Sequence, residues 1–246
     1  MSTDFQAGAF LIDKPVGASS FYMVRKMRNA LGMKKIGHAG TLDPFATGLL
    51  IICAGRPATK LISLIQDGEK EYLATLRLGV ETTTLDPEGD ITAECPVGSL
   101  TDEVIETSLQ KFRGEQQQVP PIYSALKHKG KPLYHYARKG IEIIKPPRTV
   151  QIKSLERIET TGTVSDQSPY LHIRVVCSKG TYIRTLGADI GRDLGCGAYL
   201  TALRRVRSGC FHVENSVDGS RLQEENAREM LLKKVLSVPD LLNLLQ

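Results

Sequence analysis

The stretch GHAGTLDPFATGLL, residues 37–50, sets His38 and Asp43 among three glycines and two threonines before the chain turns apolar. A carboxylate on such pliable backbone can serve as a nucleophile or a base, provided a neighbouring cation keeps it ionised. A plainer reading stands beside this one. Asp43 then caps a helix whose first residue is Pro44, and His38 is a hydrogen-bonded loop residue.

A candidate cation lies in KGTYIRTL, where Tyr182 and Arg184 sit two apart, just after a strand pattern and at a helix start. An arginine fork can bind a carboxylate and lower its pKa, and a tyrosine beside it can stack on a base. The alternative is a half-buried helix start with a surface arginine. Other chemistries find little support. The sequence has no G-x-x-x-x-G-K-[ST], no H-E-x-x-H and no G-x-S-x-G, and its GCG at 195–197 lacks the third glycine of a dinucleotide fingerprint. Nucleotide-dependent phosphoryl transfer, zinc hydrolysis and nicotinamide chemistry are therefore not indicated.

These residues need a scaffold. AFLID (9–13) reads as a buried strand, and a helix capped by Ser19 or Ser20 runs to Leu31 before Gly32. The opening motif falls in a loop over 33–48, followed by the strand LLIICAG and a helix over 57–67. EYLATLRLGV alternates as a strand, with Tyr72, Ala74, Leu76 and Leu78 on one side. The acidic loop TTTLDPEGD connects two strands, and Thr101 caps a helix that ends at Gly114. Residues 115–148, rich in Pro, Tyr, Lys and Gly, read as a basic excursion around a short helix. TVQIKSLERIE (149–159) and YLHIRVVCS read as strands, TYIRTLGADIGRDLG as a helix, and AYLTALRRVRSG as a strand. The tail reads as a helix over REMLLKKVLSV and a turn at Pro239 and Asp240. This order lacks a β-α-β rhythm, so the expected class is α+β with a mixed, largely antiparallel sheet flanked by helices. The expected domains are a catalytic one over 1–213, with a thumb insertion at about 116–148, and a short helical tail over 214–246.

Composition is that of a globular chain of 246 residues, 41% apolar and 24% charged. No apolar run is long enough for a membrane span, and the N-terminus reads as no secretory signal, so the expected location is cytoplasmic. Cys53, Cys95, Cys177, Cys196 and Cys210 form no C-x-x-C pair; they read as small buried residues in a reducing compartment rather than as disulfides or a metal site. Net charge is +5, unevenly spread. Residues 80–106 hold eight acids and no Lys or Arg, whereas 122–160 hold nine Lys and Arg against three acids and 179–207 six against two. A basic surface set against an acidic stretch fits a polyanion, nucleic acid first.

Five segments in order resemble the TruB-type pseudouridine synthases, the tRNA pseudouridine-55 synthases. They are FLIDKPVGASS, KIGHAGTLDPFATGLLIICAG, EYLATLRLGVETTTLDPEGD, QVPPIYSALKHKGKPLYHYARKG and CSKGTYIRTLGADIGRDLGCGAYLTALRRVRSG. The resemblance covers about residues 9–213. It implies the pseudouridine synthase fold and an isomerisation: the uridine N1–C1′ bond breaks, the base rotates and it rejoins through C5, with no cofactor and no metal. It implies that Asp43 is the nucleophile, that Tyr72 stacks on the target base, and that Arg184 pairs with the aspartate. Tyr182 and Leu203 would line the pocket, His38 would hold the flipped nucleotide, and Lys14 and Pro15 would buttress the catalytic loop. The implied partner is the T-arm stem-loop of tRNA, with no guide RNA and no membrane, for a chain expected to be a monomer. One departure is expected: after Gly209 only 37 residues remain, too few for the complete RNA-binding PUA domain common in the family. A non-catalytic RNA-binding protein and a guide-dependent enzyme are the rival readings.

Overall fold

A computed structural model of the chain describes residues 5–158 and 163–246. In chain order the elements are β1 (Gly8–Lys14), α1 (Ser20–Leu31), β2 (Ile36–Ala39), β3 (Thr47–Ala54), α2 (Arg56–Thr59), α3 (Ile62–Asp67), β4 (Lys70–Leu78), β5 (Val80–Thr82) and β6 (Ile91–Glu94). There follow α4 (Asp102–Lys111), β7 (Gly114–Gln118), β8 (Lys127–His128), β9 (Lys131–Pro132), α5 (Leu133–Ala137), β10 (Arg148–Arg157), β11 (Tyr170–Cys177) and α6 (Ile183–Asp193). The chain ends through β12 (Ala198–Ser208), β13 (Phe211–His212), β14 (Val217–Asp218), α7 (Ala227–Lys233) and α8 (Val238–Leu244). They divide into two compact units, residues 1–72 with 204–246, and residues 73–203.

In the first unit β1 pairs antiparallel with β3 along its whole length, and β2 pairs antiparallel with the other edge of β3. Parallel pairs with β14 and with the second half of β12 extend this sheet. β3 is an unbroken apolar run because both its faces are covered: Leu49, Leu50, Ile51, Ile52 and Cys53 are all fully buried. Leu49, Ile51 and Cys53 join Leu11, Ala58, Ile65, Phe211 and Leu241 in one core cluster. α1 forms as its sequence requires. Ser19 accepts from the Tyr22 amide, Met23, Val24, Met27 and Leu31 are buried, and Gly32 closes the helix at φ +66°.

The second unit strings the rest of β12, then β4, β11, β10 and β7, into a sheet. β10 pairs antiparallel with both β11 and β7. β4 alternates as expected, burying Tyr72, Ala74, Leu76 and Leu78. β5 and β6 pair across the acidic loop. The architecture is α+β with a mixed, largely antiparallel sheet and flanking helices, as the element order suggests. Among the described residues no helix is long and apolar enough to cross a membrane.

Four local expectations are corrected. The helix expected over 57–67 is two short ones, because the Leu61 amide closes on Ala58 and a new helix starts from Leu61. Residues 36–39, expected in a loop, are strand β2, so His38 sits on a strand opposite Ile52. Residues 115–118, expected in the irregular basic segment, form with Gly114, expected to end the preceding helix, the edge strand β7. Its polar, alternately exposed side chains give no apolar period from which to read it. Pro239 lies in the first turn of α8 rather than in a turn: Ser237 and Asp240 form a reciprocal capping box, and proline is tolerated in a first helical turn. The strand expected over 149–159 is β10, and its last expected residue, Glu159, lies outside the described residues.

Candidate active site

In the first unit Lys14, Pro15 and Asp43 meet at the loop between β2 and β3, and His38 lies on β2 just before it. Asp43 does not cap a helix. Its carbonyl accepts from the Ala46 amide at 3.2 Å, which makes Asp43 the first residue of a tight turn with Pro44 second, the positions these two types favour. The cap reading fails because residues 43–46 form no helix.

Three side chains or loops hold that turn. Lys14, fully buried at the end of β1, points its ammonium at main-chain carbonyls: Ala18 at 2.6 Å, Pro15 at 3.0 Å and Pro44 at 3.2 Å. The Gly17 amide donates to the same Pro44 carbonyl at 2.8 Å. Ser20 is buried in the first turn of α1, where its hydroxyl accepts from the Leu42 amide at 2.8 Å and bonds the Leu42 carbonyl at 3.0 Å. Buried polar groups are costly unless bonded, so these bonds fix the loop backbone beside Asp43. Pro15 itself provides one of the three carbonyls.

His38 is half-buried on β2. Burial lowers its pKa from the ordinary 6.5, the Arg205 charge lowers it further, and contact with the Gly40 backbone offsets only part of this. The sign follows from linkage. The unfolded chain takes up a proton near 6.5 and the folded protein does not until lower pH, so stability falls as pH drops below 6.5 towards the folded value. His38→Gln is expected to flatten the pH dependence of the urea midpoint between about pH 7 and 5. A wild-type slope in the variant would remove His38 as its source. Tyr72, also in this unit, is buried on β4 at 9% exposure.

In the second unit Arg184 occupies the first turn of α6. It is not a surface arginine. Its side chain is 4% exposed and lies 3.1 Å from the Asp86 carboxylate, itself 5% exposed. The guanidinium also donates to the carbonyls of Thr84 and Tyr123, both at 2.7 Å. Asp86 in turn accepts from the Thr84 hydroxyl at 2.5 Å and the Glu88 amide at 3.0 Å. Leu85 between them is held at φ +61°, a conformation that non-glycine residues adopt at a cost and that concentrates at functional sites. Tyr182 caps α6, and the side-chain amide of buried Gln118 clamps its backbone, accepting from the Tyr182 amide at 2.7 Å and donating to its carbonyl at 3.0 Å. Leu203 is buried on β12 at 7% exposure.

Reading the sequence alone misses Asp86, Gln118, Ser20 and Arg205. Asp86 is hidden among eight acids, Gln118 closes a run of glutamines, and Ser20 competes with the capping Ser19. Each becomes distinct only through burial.

Residues 28–183 match the TruB family pseudouridylate synthase N-terminal domain, and residues 184–241 match the tRNA pseudouridylate synthase B C-terminal domain. A protein of Desulfotalea psychrophila named tRNA pseudouridine synthase B is 61% identical over 99% of this chain and 98% of its own length. Its namesake in Chromobacterium violaceum is 49% identical over 94% of this chain and 72% of its own. Among solved structures, a Cbf5-Nop10-Gar1 complex matches with a TM-score of 0.69 at 28% identity, covering 96% of this chain; the chain spans 61% of that neighbour's length. Matches over nearly the whole chain, at identities far above those needed to show common descent, place it in the TruB family of pseudouridylate synthases, and the protein is an isomerase of that class.

Proposed function

We propose that this chain converts uridine 55, in the T loop of tRNA, to pseudouridine, with the Asp43 carboxylate as nucleophile. The observation that supports this most directly is the Asp43–Pro44 turn, fixed by Lys14, Ser20 and Gly17. A helix cap or a surface turn does not require a fully buried lysine to hold it; a reacting carboxylate requires fixed geometry.

The target lies in a stacked RNA loop, so the nucleotide must first be extruded, at roughly a few kcal/mol. His38 holds it out, Tyr72 stacks on the base, and Tyr182 and Leu203 line the pocket. Arg184 is the site's cation, and Lys14 and Pro15 buttress the loop. Asp43 bonds transiently to the nucleoside, the N1–C1′ bond breaks with its electron pair left on the base, the base rotates, C5 bonds C1′, the bond to Asp43 breaks to regenerate the carboxylate, C5 releases its proton and N1 gains one. Atoms and electrons balance within the nucleoside, so the reaction calls for no cofactor. The basic segments over 122–160 and 179–207 supply phosphate contacts, which give affinity without reading sequence. The enzyme acts as a monomer in the cytoplasm, without a guide RNA.

The test is incubation of the isolated protein with unmodified tRNA and with a T-arm hairpin, followed by mapping of pseudouridine by carbodiimide treatment and primer extension. New pseudouridine at position 55 in both is expected. None in the T loop would sink the assignment, and modification only when a guide RNA is added would transfer it to the guide-dependent reading.

A further inference from the structure

Arg205 is among the largest fully buried side chains of the protein, at 2% exposure. Among the described residues no carboxylate pairs with it. Its guanidinium instead bonds two main-chain carbonyls of the first unit. Nε donates to Leu49 at 2.7 Å and Nη2 donates to Gly40 at 3.2 Å. Gly40 and Leu49 flank the loop that carries Asp43, one at the exit of β2 and the other inside β3.

The main chain of Arg205 meets the same loop. It lies opposite Gly48 in the parallel pair of β12 with β3. Gly48 stands at φ +98°, and a Cβ there would come within 2.3 Å of the Arg205 carbonyl oxygen. Position 48 must therefore be glycine for β12 to approach, and that approach brings the guanidinium between the two ends of the loop.

A buried cation without a counter-charge is costly, and an apolar side chain would fill the same space at less cost. A lysine would have to reach both carbonyls from one nitrogen, whereas the guanidinium reaches Leu49 with Nε and Gly40 with Nη2. We infer that Arg205 is the positioning residue of the catalytic loop: one guanidinium ties Gly40 to Leu49 and so sets the backbone on which Asp43 stands. The inference rests on Asp43 being the reacting carboxylate. It gives the second arginine of the LRR triplet at 203–205 a role separate from that of its neighbour Arg204, whose fork binds Asp13 at 2.6 and 3.0 Å.

The test is Arg205→Lys, which keeps the charge and loses the fork. Expected are an intact fold, a tRNA Kd within about threefold of wild type, and a single-turnover rate at saturating tRNA lower by about 100-fold, the scale on which small misplacement of a reacting group is felt. Backbone amides over 40–46 should exchange with deuterium faster, while those at the centre of β3 keep their rates. A wild-type rate at saturating tRNA, or unchanged exchange in the loop, would overturn the inference. If the lysine variant does not fold, wild-type protein decides. The Arg205 Nε–H and the 40–46 amides (Pro44 apart) should then share one opening equilibrium once each rate is divided by its intrinsic exchange rate, and an Nε–H that opens independently of the loop would overturn the role. The exchange readout is independent of Asp43. An active Asp43→Asn enzyme together with a loosened loop in Arg205→Lys would remove the nucleophile and leave the loop-holding role standing.

Discussion

Asp43→Asn is expected to abolish pseudouridine formation while leaving tRNA binding within about tenfold of wild type, because the substitution removes a charge and a nucleophile but almost no contact area. The loss in single-turnover rate should exceed about 10⁴-fold, the range in which removal of an attacking group is felt. The fold should survive. The turn is held through main-chain atoms, by the Ala46 amide on the Asp43 carbonyl and by Lys14 on the Pro44 carbonyl, and asparagine is as acceptable as aspartate at the first position of such a turn. Since C5 of the uridine must give up its hydrogen, release of tritium from tRNA labelled at C5 reads the reaction directly. Substantial release by a folded Asp43→Asn protein would remove Asp43 from the chemistry.

The second large effect concerns the buried pair Arg184–Asp86. Arg184→Met leaves a carboxylate at 5% exposure without its guanidinium and takes a donor from each of the carbonyls of Thr84 and Tyr123. Breaking a buried pair by removing one partner costs about 3–5 kcal/mol, so the urea midpoint should fall accordingly and activity should be lost even at low temperature, where the protein remains folded. Asp86→Asn should cost less, because asparagine can still accept from the Thr84 hydroxyl, and the double variant should be less destabilised than the sum of the two. Strict additivity would show that the pair is not coupled. A loss below about 1 kcal/mol in Arg184→Met would match an exposed pair instead.

Several elements are readable because their determinants are local. α1 is announced by Ser19, by apolar residues at helical spacing and by Gly32, and the structure uses each as capping and burial require. β4 is announced by strict alternation, and the same residues are buried. Where the determinant is a partner rather than a period, the sequence is silent. β7 has no apolar pattern, because an edge strand of glutamines is held by main-chain bonds to β10. Pro239 reads as a turn residue until Ser237 and Asp240 are seen to cap the helix whose first turn it occupies.

The site divides along the same line. Ordered motifs identify the family and point to Asp43, Tyr72, Tyr182, Arg184, His38 and Leu203, because residue types at fixed spacing are properties of the chain. The sequence also suggests a polyanionic partner, since charge counts need no coordinates. Only the tertiary structure shows that Asp43 begins a turn and not a helix, that Arg184 is buried against Asp86, and that Lys14, Ser20 and Arg205 bond main-chain carbonyls in and beside the loop. Those facts depend on which backbone oxygens are removed from water and which distant donors reach them. Burial of that kind arises from packing between segments far apart in the chain, so no local pattern records it.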